Sequence, residues 1–325
     1  MIVVTGAAGF IGSNLVAALN DEGRDDLILC DRLRQDLRWQ NLRKRTFRDL
    51  VPPDQLLTHL ARERPDAVVH LGANSSTTTT DADELMRVNF RFTLDLIDYC
   101  VREGVNLVYA SSAATYGGGE NGFIDDGSLA ALKKLRPLNL YGWSKHLIDK
   151  IVAERREQGL PLPPKCIGLK YFNVYGQNEY HKGAMASVVC KNYARAAAGE
   201  PVELFESRRE GWADGEPSRD FVYVDDAVAV TRWMLDRGPA QGLFNVGVGV
   251  AVSFRALIEA LFAAIGREPN IRFVPMPEAL RGHYQYYSCA SLENLRAAGY
   301  GDRFVPVAEG VASYAKYLGS ADHYR

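Results

Sequence analysis

Short apolar runs recur along this chain, separated by longer segments in which apolar and polar residues mix. The first run, 2–4, is apolar and β-branched, which suits a strand buried on both faces of a sheet. Similar runs follow at 27–30, 67–71, 107–110, 166–171, 221–224 and 244–246. Strands that alternate with helical segments in this way predict an α/β protein with a doubly wound parallel sheet.

The segments between the runs carry helix signals. Gly23 and Gly104 are suited to follow helices, because glycine adopts the left-handed conformation common at that position. The side chains of Asp54, Ser253 and Ser291 can cap helix N-termini. These signals predict helices from 13 to 23, from 54 to about 64, over 83–103 and from 137 onward, whereas the polar stretch 208–217 is predicted to be a surface loop.

Three glycines spaced G-x-x-G-x-x-G, namely Gly6, Gly9 and Gly12, follow the first predicted strand and open the first predicted helix. In such a turn the first glycine allows a tight bend, the second lets the backbone approach a pyrophosphate, and the third allows close helix packing. The helix N-terminus directs free N–H groups at the anion. Asp31, after the second predicted strand, can hydrogen-bond an adenosine ribose. We therefore expect a dinucleotide site here rather than a glycine-rich turn without a ligand.

Two arginines near Asp31 bear on which dinucleotide is bound. Arg32 directly follows the acid, and Arg38 lies further along the same basic segment. Guanidinium groups at this place can bind the 2′-phosphate of NADP, although a solvated surface loop has the same composition. The sequence therefore favours NADP over NAD.

Composition narrows the class of protein. The chain has 325 residues and a formal net charge of −2, which gives no reason to expect nucleic acid or an anionic membrane as a partner. Its five cysteines are scattered without a C-x-x-C pair, which indicates neither a disulfide framework nor a zinc site. No apolar run is long enough for a membrane span, and the glycine turn leaves no room for a signal peptide. These features predict a cytoplasmic protein without a metal.

Tyr141 and Lys145 form the pattern Y-x-x-x-K on the helix predicted from 137. Residues four apart share a helix face, so the phenol and the ammonium are expected to be neighbours. A nearby ammonium favours the phenolate and makes a tyrosine usable as a base, and the same lysine can hold a nicotinamide ribose. Ser112, just beyond the 107–110 run, offers a hydroxyl that can share a proton with Tyr141. The three residues predict an acid/base centre, although this spacing also arises by chance.

Longer stretches of the chain resemble a known group of proteins. TGAAGFIGSNL, NLVYASSAATYGG, YGWSK, RDFVYVDDAV and FNVGVG resemble the extended short-chain dehydrogenase/reductase superfamily of nucleotide-sugar enzymes. Within it, LGANSSTTTT, LKYFNVYGQNEYHKGAMASV, LRGHYQYYS and LENLRAAGY resemble the ADP-L-glycero-D-manno-heptose 6-epimerase family. The resemblance covers nearly the whole chain, and HKGAMASV is its most specific part.

The resemblance implies a fold and a reaction. The fold is a Rossmann-type domain formed by 1–173 and 222–248, with a smaller α/β substrate-binding domain formed by 174–221 and 249–325. The reaction is NADP-dependent inversion at C6 of an ADP-heptose by transient oxidation and re-reduction, in the precursor pathway of the lipopolysaccharide core. A homo-oligomer, described as pentameric for the family, is implied as well.

Individual residues acquire roles by the same resemblance. Tyr141 and Lys182 are implied to be two opposed acid/base residues, with Ser112 assisting Tyr141; without the resemblance, Lys182 would be taken for a surface lysine. The cofactor-binding residues expected from motif and resemblance are Gly6, Gly9, Phe10, Ile11, Gly12, Asp31, Arg32, Arg38, Leu71, Gly72, Ala73, Asn74, Ser75, Asn89, Lys145 and Val174. The expected substrate-binding residues are Ser112, Asn173, Ala184, Lys191, Phe205, Glu206, Arg219 and Tyr284.

The chain departs from the family pattern around the implied substrate pocket. Asn74, Ala184 and Lys191 stand where the family commonly has Cys, Ser and His, and the loop 207–218 is longer than usual. These differences leave the sugar nucleotide open, and a UDP-hexose 4-epimerase is the alternative within the superfamily.

Ser112 and its surroundings bear on two other classes of protein. A 4,6-dehydratase is disfavoured, because Ala113 and Ala114 follow this serine in place of the Asp-Glu pair that such enzymes use. A cofactor-sensing protein that lacks chemistry is the other alternative. The joint presence of Ser112, Tyr141 and Lys145 speaks against it.

Overall fold

The computed structural model describes residues 1–278 and 284–325. Its strands, numbered along the chain, are β1 (Ile2–Thr5), β2 (Leu27–Cys30), β3 (Asp49–Val51), β4 (Ala67–His70), β5 (Asn106–Ser112), β6 (Cys166–Tyr171), β7 (Asn173–Tyr175), β8 (Val202–Phe205), β9 (Ser218–Tyr223), β10 (Gln241–Val246), β11 (Ala251–Ser253) and β12 (Ile271–Val274). Seven of them form a parallel sheet in the order β10-β6-β5-β4-β1-β2-β3. The order reverses at β1, and an open parallel sheet binds ligands at the carboxyl ends of its strands beside such a reversal.

Helices connect these strands. They are α1 (Phe10–Asp21), α2 (Leu56–Leu60), α3 (Ala82–Leu85), α4 (Phe92–Glu103), α5 (Leu129–Leu132), α6 (Leu140–Glu157), α7 (Val188–Ala198), α8 (Val224–Asp236), α9 (Phe254–Ala264), α10 (Glu293–Ala297) and α11 (Val307–Leu318). A π-helical turn spans Met86–Arg91, and 3-10 turns span Leu37–Asn41, Ala113–Tyr116 and Tyr180–Met185. Within the described ranges no helix is both long and apolar enough to cross a membrane.

Successive residues of the central strands pack into different layers, because side chains of a strand alternate between its two faces. Ile2 and Val4 belong to a buried cluster that includes residues of α1 and α8. Val3, between them, belongs to a second cluster that includes residues of α4 and α6. Helices therefore cover both faces of the sheet, as the apolar runs predicted for an α/β fold.

Two small sheets lie outside the large one. In the first, β9 pairs in parallel with β7 and antiparallel with β11. In the second, β8 and β12 are parallel. β10, in contrast, joins the central sheet beside β6, which agrees with placing 222–248 in the larger domain. The domain boundaries themselves stay a prediction.

Several local predictions need correction. The edge strand β3 was not predicted, because of its three residues only Val51 is buried. The helix expected from 54 to about 64 is only Leu56–Leu60, and the carboxylate of Asp54 accepts a hydrogen bond from Arg32 instead of capping it. The helix over 83–103 is interrupted by its π-helical turn. Ser291 lies one residue before the N-cap position of α10, which Leu292 occupies.

Other local predictions are confirmed. Gly104 ends α4 in the left-handed conformation, with a φ of 64°. Ser253 caps α9, since its hydroxyl accepts a hydrogen bond from the N–H of Ala256 at 3.1 Å. Both signals act within one turn of chain, which is why a sequence pattern suffices to predict them.

Candidate active site

The turn after β1 holds its glycines where a side chain has no room. Gly6 has a φ of 67°, and a Cβ atom there would lie 2.7 Å from the backbone of Gly72, in the segment that follows β4. A Cβ atom on Gly12 would collide with the carbonyl oxygen of Gly6. Glycine at both positions therefore lets α1 approach the end of the sheet closely.

The N-terminus of α1 opens toward the same place. Gly9 occupies its N-cap position, and no side chain of the described residues caps that end. The first N–H groups of a helix have no acceptor within the helix, and together with the helix dipole they favour an anion. The arrangement fits the pyrophosphate of a dinucleotide, as the glycine spacing predicted.

Asp31 lies directly after β2, at the edge of this anion site. Its carboxylate accepts hydrogen bonds from the N–H groups of Ala8 at 2.9 Å and Arg32 at 2.7 Å. Burial raises the pKa of Asp31, while these two backbone bonds work in the opposite direction. The bonds hold the carboxylate in one orientation, from which it can accept a ribose hydroxyl.

The arginines expected to select NADP line the cleft but already have carboxylate partners. Nη2 of Arg32 lies 3.1 Å from Oδ1 of Asp54, and Nη2 of Arg38 lies 2.7 Å from Oδ2 of Asp36. Arg34, which was not predicted, lines the same rim with a φ of 55°. A 2′-phosphate would thus meet guanidinium groups whose charge is partly balanced by carboxylates. The two carboxylates therefore also influence how strongly such a phosphate would bind.

A cleft of about 540 Å³ connects these groups at the carboxyl ends of the central strands. Fifteen of the sixteen predicted cofactor residues line it: Gly6, Gly9, Phe10, Ile11, Gly12, Asp31, Arg32, Arg38, Leu71, Gly72, Ala73, Asn74, Ser75, Lys145 and Val174. The exception, Asn89, is buried behind the wall. Its amide exchanges hydrogen bonds of 2.8 and 2.9 Å with the backbone of Asn74 and donates to Ser144 at 3.1 Å. Asn89 therefore supports the wall at Asn74 instead of lining the cleft.

The start of α6 sets the position of the predicted acid/base centre. Asn139 caps the helix by accepting from the N–H of Gly142 at 2.8 Å. A Cβ atom on Gly142 would lie 2.6 Å from the carbonyl oxygen of Ala114, so the absence of a side chain lets α6 approach the end of β5. This close approach brings Tyr141 to Ser112, to which it hydrogen-bonds.

Burial has the largest influence on the protonation of this centre. Burial raises the pKa of Tyr141, and the hydrogen bond with Ser112 only partly opposes that effect. Desolvation of the phenolate therefore dominates the pKa of Tyr141, and the acidifying effect expected of Lys145 stays a prediction. Lys145 itself is buried, which lowers its pKa to about 8 against the opposing influence of Asp149.

Lys182 reaches the same cleft from the 3-10 turn Tyr180–Met185. Its Nζ lies 5.0 Å from the centre of the Phe10 ring, at the start of α1. Burial lowers the pKa of Lys182; Glu179 and Cys190 oppose this shift and Lys191 adds to it. The structure thus brings Lys182 and Tyr141 to one cavity although they belong to separate elements.

Ser112 lines this cleft, whereas the other predicted substrate residues lie outside its wall. Three of them form a cluster beside the two small sheets. The rings of Phe205 and Tyr284 meet edge to face with centroids 6.4 Å apart, and the guanidinium carbon of Arg219 lies 5.5 Å from the centre of the Tyr284 ring. Burial lowers the pKa of Arg219 to about 10. The preceding part of the LRGHYQYYS stretch, 280–283, lies outside the described residues.

The remaining four are not part of that cluster. Asn173 donates to the carbonyl of Asp220 at 3.3 Å. Lys191 donates to the carbonyl of Ala184 at 3.4 Å. Glu206 faces Arg208 across an ion pair of 3.4 Å at the start of the long loop. The structure therefore assembles all but one of the predicted cofactor residues in one cavity, whereas the predicted substrate residues are spread over several places.

Some residues that line the cleft were missed by sequence reasoning: Arg34, Asp54, Arg87, Phe172, His181 and Met185. His181 and Met185 flank Lys182 in a single 3-10 turn, so recognising that turn would have placed them. Asp54 and Arg87 belong to segments separated in sequence from every motif. No local pattern signals that these two residues face the cleft.

Comparison with known proteins agrees with this geometry. Residues 2–247 match the model of the NAD dependent epimerase/dehydratase family, which includes the glycine turn, Asp31, Tyr141 and Lys182. The chain belongs to this family. Its relatives therefore indicate which substrates to consider.

Three relatives illustrate the range of the family. The chain is 44% identical, over the full length of both proteins, to a protein of Nitratidesulfovibrio vulgaris named ADP-L-glycero-D-manno-heptose-6-epimerase. It superposes on the Helicobacter pylori ADP-L-glycero-D-manno-heptose-6-epimerase with a TM-score of 0.80 and 25% identity, covering 98% of this chain and 96% of that one. It superposes on Thermus thermophilus UDP-glucose 4-epimerase in complex with NAD with a TM-score of 0.78 and 28% identity, covering 98% and 99%.

Proposed function

We propose that this protein inverts the configuration at C6 of ADP-D-glycero-D-manno-heptose, giving ADP-L-glycero-D-manno-heptose, by transient oxidation and re-reduction with bound NADP. The observation that carries the proposal is the meeting of Tyr141 and Lys182 in one cleft that also contains the dinucleotide residues. The name of the full-length relative from Nitratidesulfovibrio supports the choice of sugar nucleotide. The choice of NADP rests on Arg32 and Arg38 and on the family resemblance.

The residues of the cleft fit such a cofactor, whose nicotinamide would supply the hydride acceptor and donor when bound. The glycine turn and the N-terminus of α1 would hold the pyrophosphate, and Asp31 the adenosine ribose. Arg32 and Arg38 would contact the 2′-phosphate, for which each would share its carboxylate-paired guanidinium. Lys145 would donate to the nicotinamide ribose.

Tyr141 and Lys182 would divide the proton transfers at the substrate oxygen. With its raised pKa, Tyr141 is a neutral phenol at neutral pH and is suited to donate a proton to a carbonyl oxygen as it is reduced. Lys182, whose pKa burial lowers, is better suited than an exposed lysine to accept a proton from a hydroxyl as it is oxidised. In the opposite direction of the reaction the two groups exchange roles.

Inversion at one carbon explains why two such groups are needed. A fixed hydride donor reaches one side of the pocket, so the carbonyl intermediate must turn its other face toward it before re-reduction. Turning that end of the sugar also moves its oxygen across the pocket. One tyrosine cannot reach both oxygen positions, and Lys182 would serve the second.

The experiment that tests this proposal has two readouts on purified protein. Mass spectrometry of the nucleotide released by denaturation is expected to find NADP. Proton NMR of ADP-D-glycero-D-manno-heptose incubated with the protein is expected to show the L-glycero epimer, with UDP-glucose and UDP-galactose as comparison substrates. Turnover of the UDP-hexoses without the heptose would favour a 4-epimerase, and bound nucleotide without any turnover would favour a sensing protein.

The proposal extends to assembly and location. By family resemblance we infer a homo-oligomer that works in the cytoplasm on a small-molecule substrate, without nucleic acid or membrane. Light scattering on the purified protein tests the first part, since a monomer at micromolar concentration would contradict it. Fractionation of cells that express the protein tests the second.

A further inference from the structure

The turn that carries Lys182 is short and has little backbone structure of its own. It spans Tyr180–Met185 in 3-10 geometry, and the N–H of Lys182 donates to the carbonyl of Glu179 at 2.9 Å. In a 3-10 turn the side chains three residues apart lie on the same side. Gly183, with a φ of 53°, then reverses the chain toward α7. Something other than helix geometry has to hold this turn in place.

The side chain of Glu179 holds both ends of it. One carboxylate oxygen accepts from the hydroxyl of Ser187 at 2.6 Å and from the N–H of Gly176 at 3.4 Å. The other oxygen accepts from the N–H of Ser187 at 2.6 Å. Gly176 precedes the turn and Ser187 follows it as the N-cap of α7, so a single carboxylate closes the loop between them. The residue is fully buried.

A buried carboxylate in this position destabilises the fold unless other groups compensate its charge. Burying an anion without a counterion is unfavourable, and two backbone N–H groups with one hydroxyl compensate only part of that cost. The N-terminus of α7 adds a favourable dipole. Lys182 is the cation three residues away, and the charge of each group stabilises the charged form of the other.

Lys182 also has other charged and titratable groups near it. Cys190 and Lys191 face it from α7, and His181 belongs to its own turn. Phe10 of α1 contributes only its ring. Cys190 also interacts with Tyr314 of α11. Lys191 also contacts the turn, at the carbonyl of Ala184, but the carboxylate of Glu179 joins the segment before the turn to the segment after it.

We propose that Glu179 is a positioning residue for Lys182: its buried carboxylate closes the turn that carries the lysine and places a negative charge behind the ammonium that acts on the substrate. This inference rests on the proposed role of Lys182 in inversion. Glu179 touches neither the cleft nor the reacting atoms, so its effect on the reaction passes entirely through Lys182.

The test measures the titration of Lys182 directly, in protein as purified, labelled with ¹³C at lysine Cε. The Lys182 signal is identified by its loss in Lys182→Met, and its midpoint is followed by NMR as the pH is raised. Glu179→Gln keeps the size of the side chain but removes the charge, so the midpoint is expected to fall by about 1 pH unit. Glu179→Asp keeps the charge and is expected to keep the midpoint closer to that of the parent.

A matched control is available in Asp226, another buried carboxylate that accepts a backbone hydrogen bond, from Val305 at 2.8 Å. Asp226→Asn is expected to leave the Lys182 midpoint unchanged. An unchanged midpoint in Glu179→Gln, with the parent's circular dichroism spectrum, would overturn the proposal. If Glu179→Gln does not fold, Lys182→Met supplies the reciprocal test, because loss of the ammonium is expected to raise the pKa of Glu179, measured with ¹³C-labelled glutamate carboxyl groups.

Activity assays separate this inference from the function on which it rests. If Lys182→Met abolishes epimerisation while Glu179→Gln leaves the midpoint unchanged, the function stands and the role of Glu179 is refuted. If the midpoint shifts but Lys182→Met turns over normally, the Glu179–Lys182 coupling stands and the two-base mechanism is refuted. If Glu179→Gln shifts the Lys182 midpoint and Lys182→Met abolishes epimerisation, both the function and the role of Glu179 stand. The pH optimum of epimerisation by Glu179→Gln is then expected to move in the same direction as the Lys182 midpoint.

Discussion

Two segments bring acid/base side chains to the cleft, and they are built differently. Tyr141 and Lys145 stand on α6, a regular helix of 18 residues whose start is capped by Asn139. Lys182 stands on a 3-10 turn of six residues with a reversal at Gly183. Backbone hydrogen bonds within α6 set the spacing of its two functional side chains, whereas the turn depends on side chains from other segments.

Those segments include the 3-10 turn Leu37–Asn41 and the N-terminal part of α1. The amide of Asn41 donates to the carbonyl of Asn178 at 3.2 Å and to that of Ala8 at 2.8 Å. Asn178 donates in turn to the hydroxyl of Ser13, in α1, at 3.1 Å. The start of the Lys182 turn is thus tied to the glycine turn and its helix. One acid/base group is therefore held locally, and the other only by the assembled fold.

Removing the locally held group is expected to have the largest effect. Tyr141→Phe keeps the ring but deletes the hydroxyl that hydrogen-bonds Ser112 and exchanges the proton. Turnover on ADP-heptose is expected to fall by about 10²–10⁴-fold, the usual contribution of general acid/base catalysis. The amount of nucleotide that co-purifies should not change, because the ring still fills its site. Near-normal turnover would remove Tyr141 from the mechanism.

Removing the distantly held group is expected to have a more selective effect. Lys182→Met keeps the length and apolar stem of the side chain, so epimerisation is expected to fall by about 10²-fold or more while the fold and cofactor content are retained. The half-reaction in which Tyr141 acts should survive, and dismutation of an aldehyde analogue of the sugar nucleotide measures it. An epimerisation rate within a few-fold of the parent would refute the role of Lys182 and weaken the heptose assignment with it.

The same contrast explains what the sequence could predict. Gly6, Asp31 and the Tyr141–Lys145 pair follow from spacing within one strand, turn or helix, and the structure places all of them along the cleft. Lys182 needed a family resemblance, because nothing in a polar turn indicates that distant asparagines and a buried carboxylate direct it inward. The raised pKa of Tyr141 could not be predicted either, since burial is a property of the assembled fold.

The next largest effect is expected on the preference between NADP and NAD. It depends on the guanidinium groups at the rim of the cleft, each of which is paired with a carboxylate. Arg32→Ala is expected to weaken NADP binding by roughly 1.5–3 kcal/mol, the value of a charge-assisted hydrogen bond, and to leave NAD binding nearly unchanged. Asp54→Asn is the matched control: it removes the carboxylate that neutralises Arg32 and is expected to strengthen NADP binding. Fluorescence titration of both nucleotides measures these effects. An equal loss of both cofactors in Arg32→Ala would contradict a 2′-phosphate contact.

The smallest expected effect is a pH dependence of NADP affinity that distinguishes Lys145 from Lys182. Burial lowers the pKa of Lys145 to about 8, so its ammonium is present below that pH and is lost above it. Because the protonated form is the better donor to a ribose and the better partner for an anionic cofactor, affinity for NADP should fall as pH rises through about 8, by up to about tenfold at pH 9. Lys145→Ala is expected to bind more weakly at every pH and to lose this dependence. Lys182→Met should keep the pH dependence, since Lys182 is assigned to the sugar rather than to the cofactor.

Titrations of NADP at several pH values test this prediction. A parent affinity that does not change with pH would show that the charge of Lys145 does not contribute to binding. A pH dependence that is lost in Lys182→Met would assign the dependence to Lys182 instead.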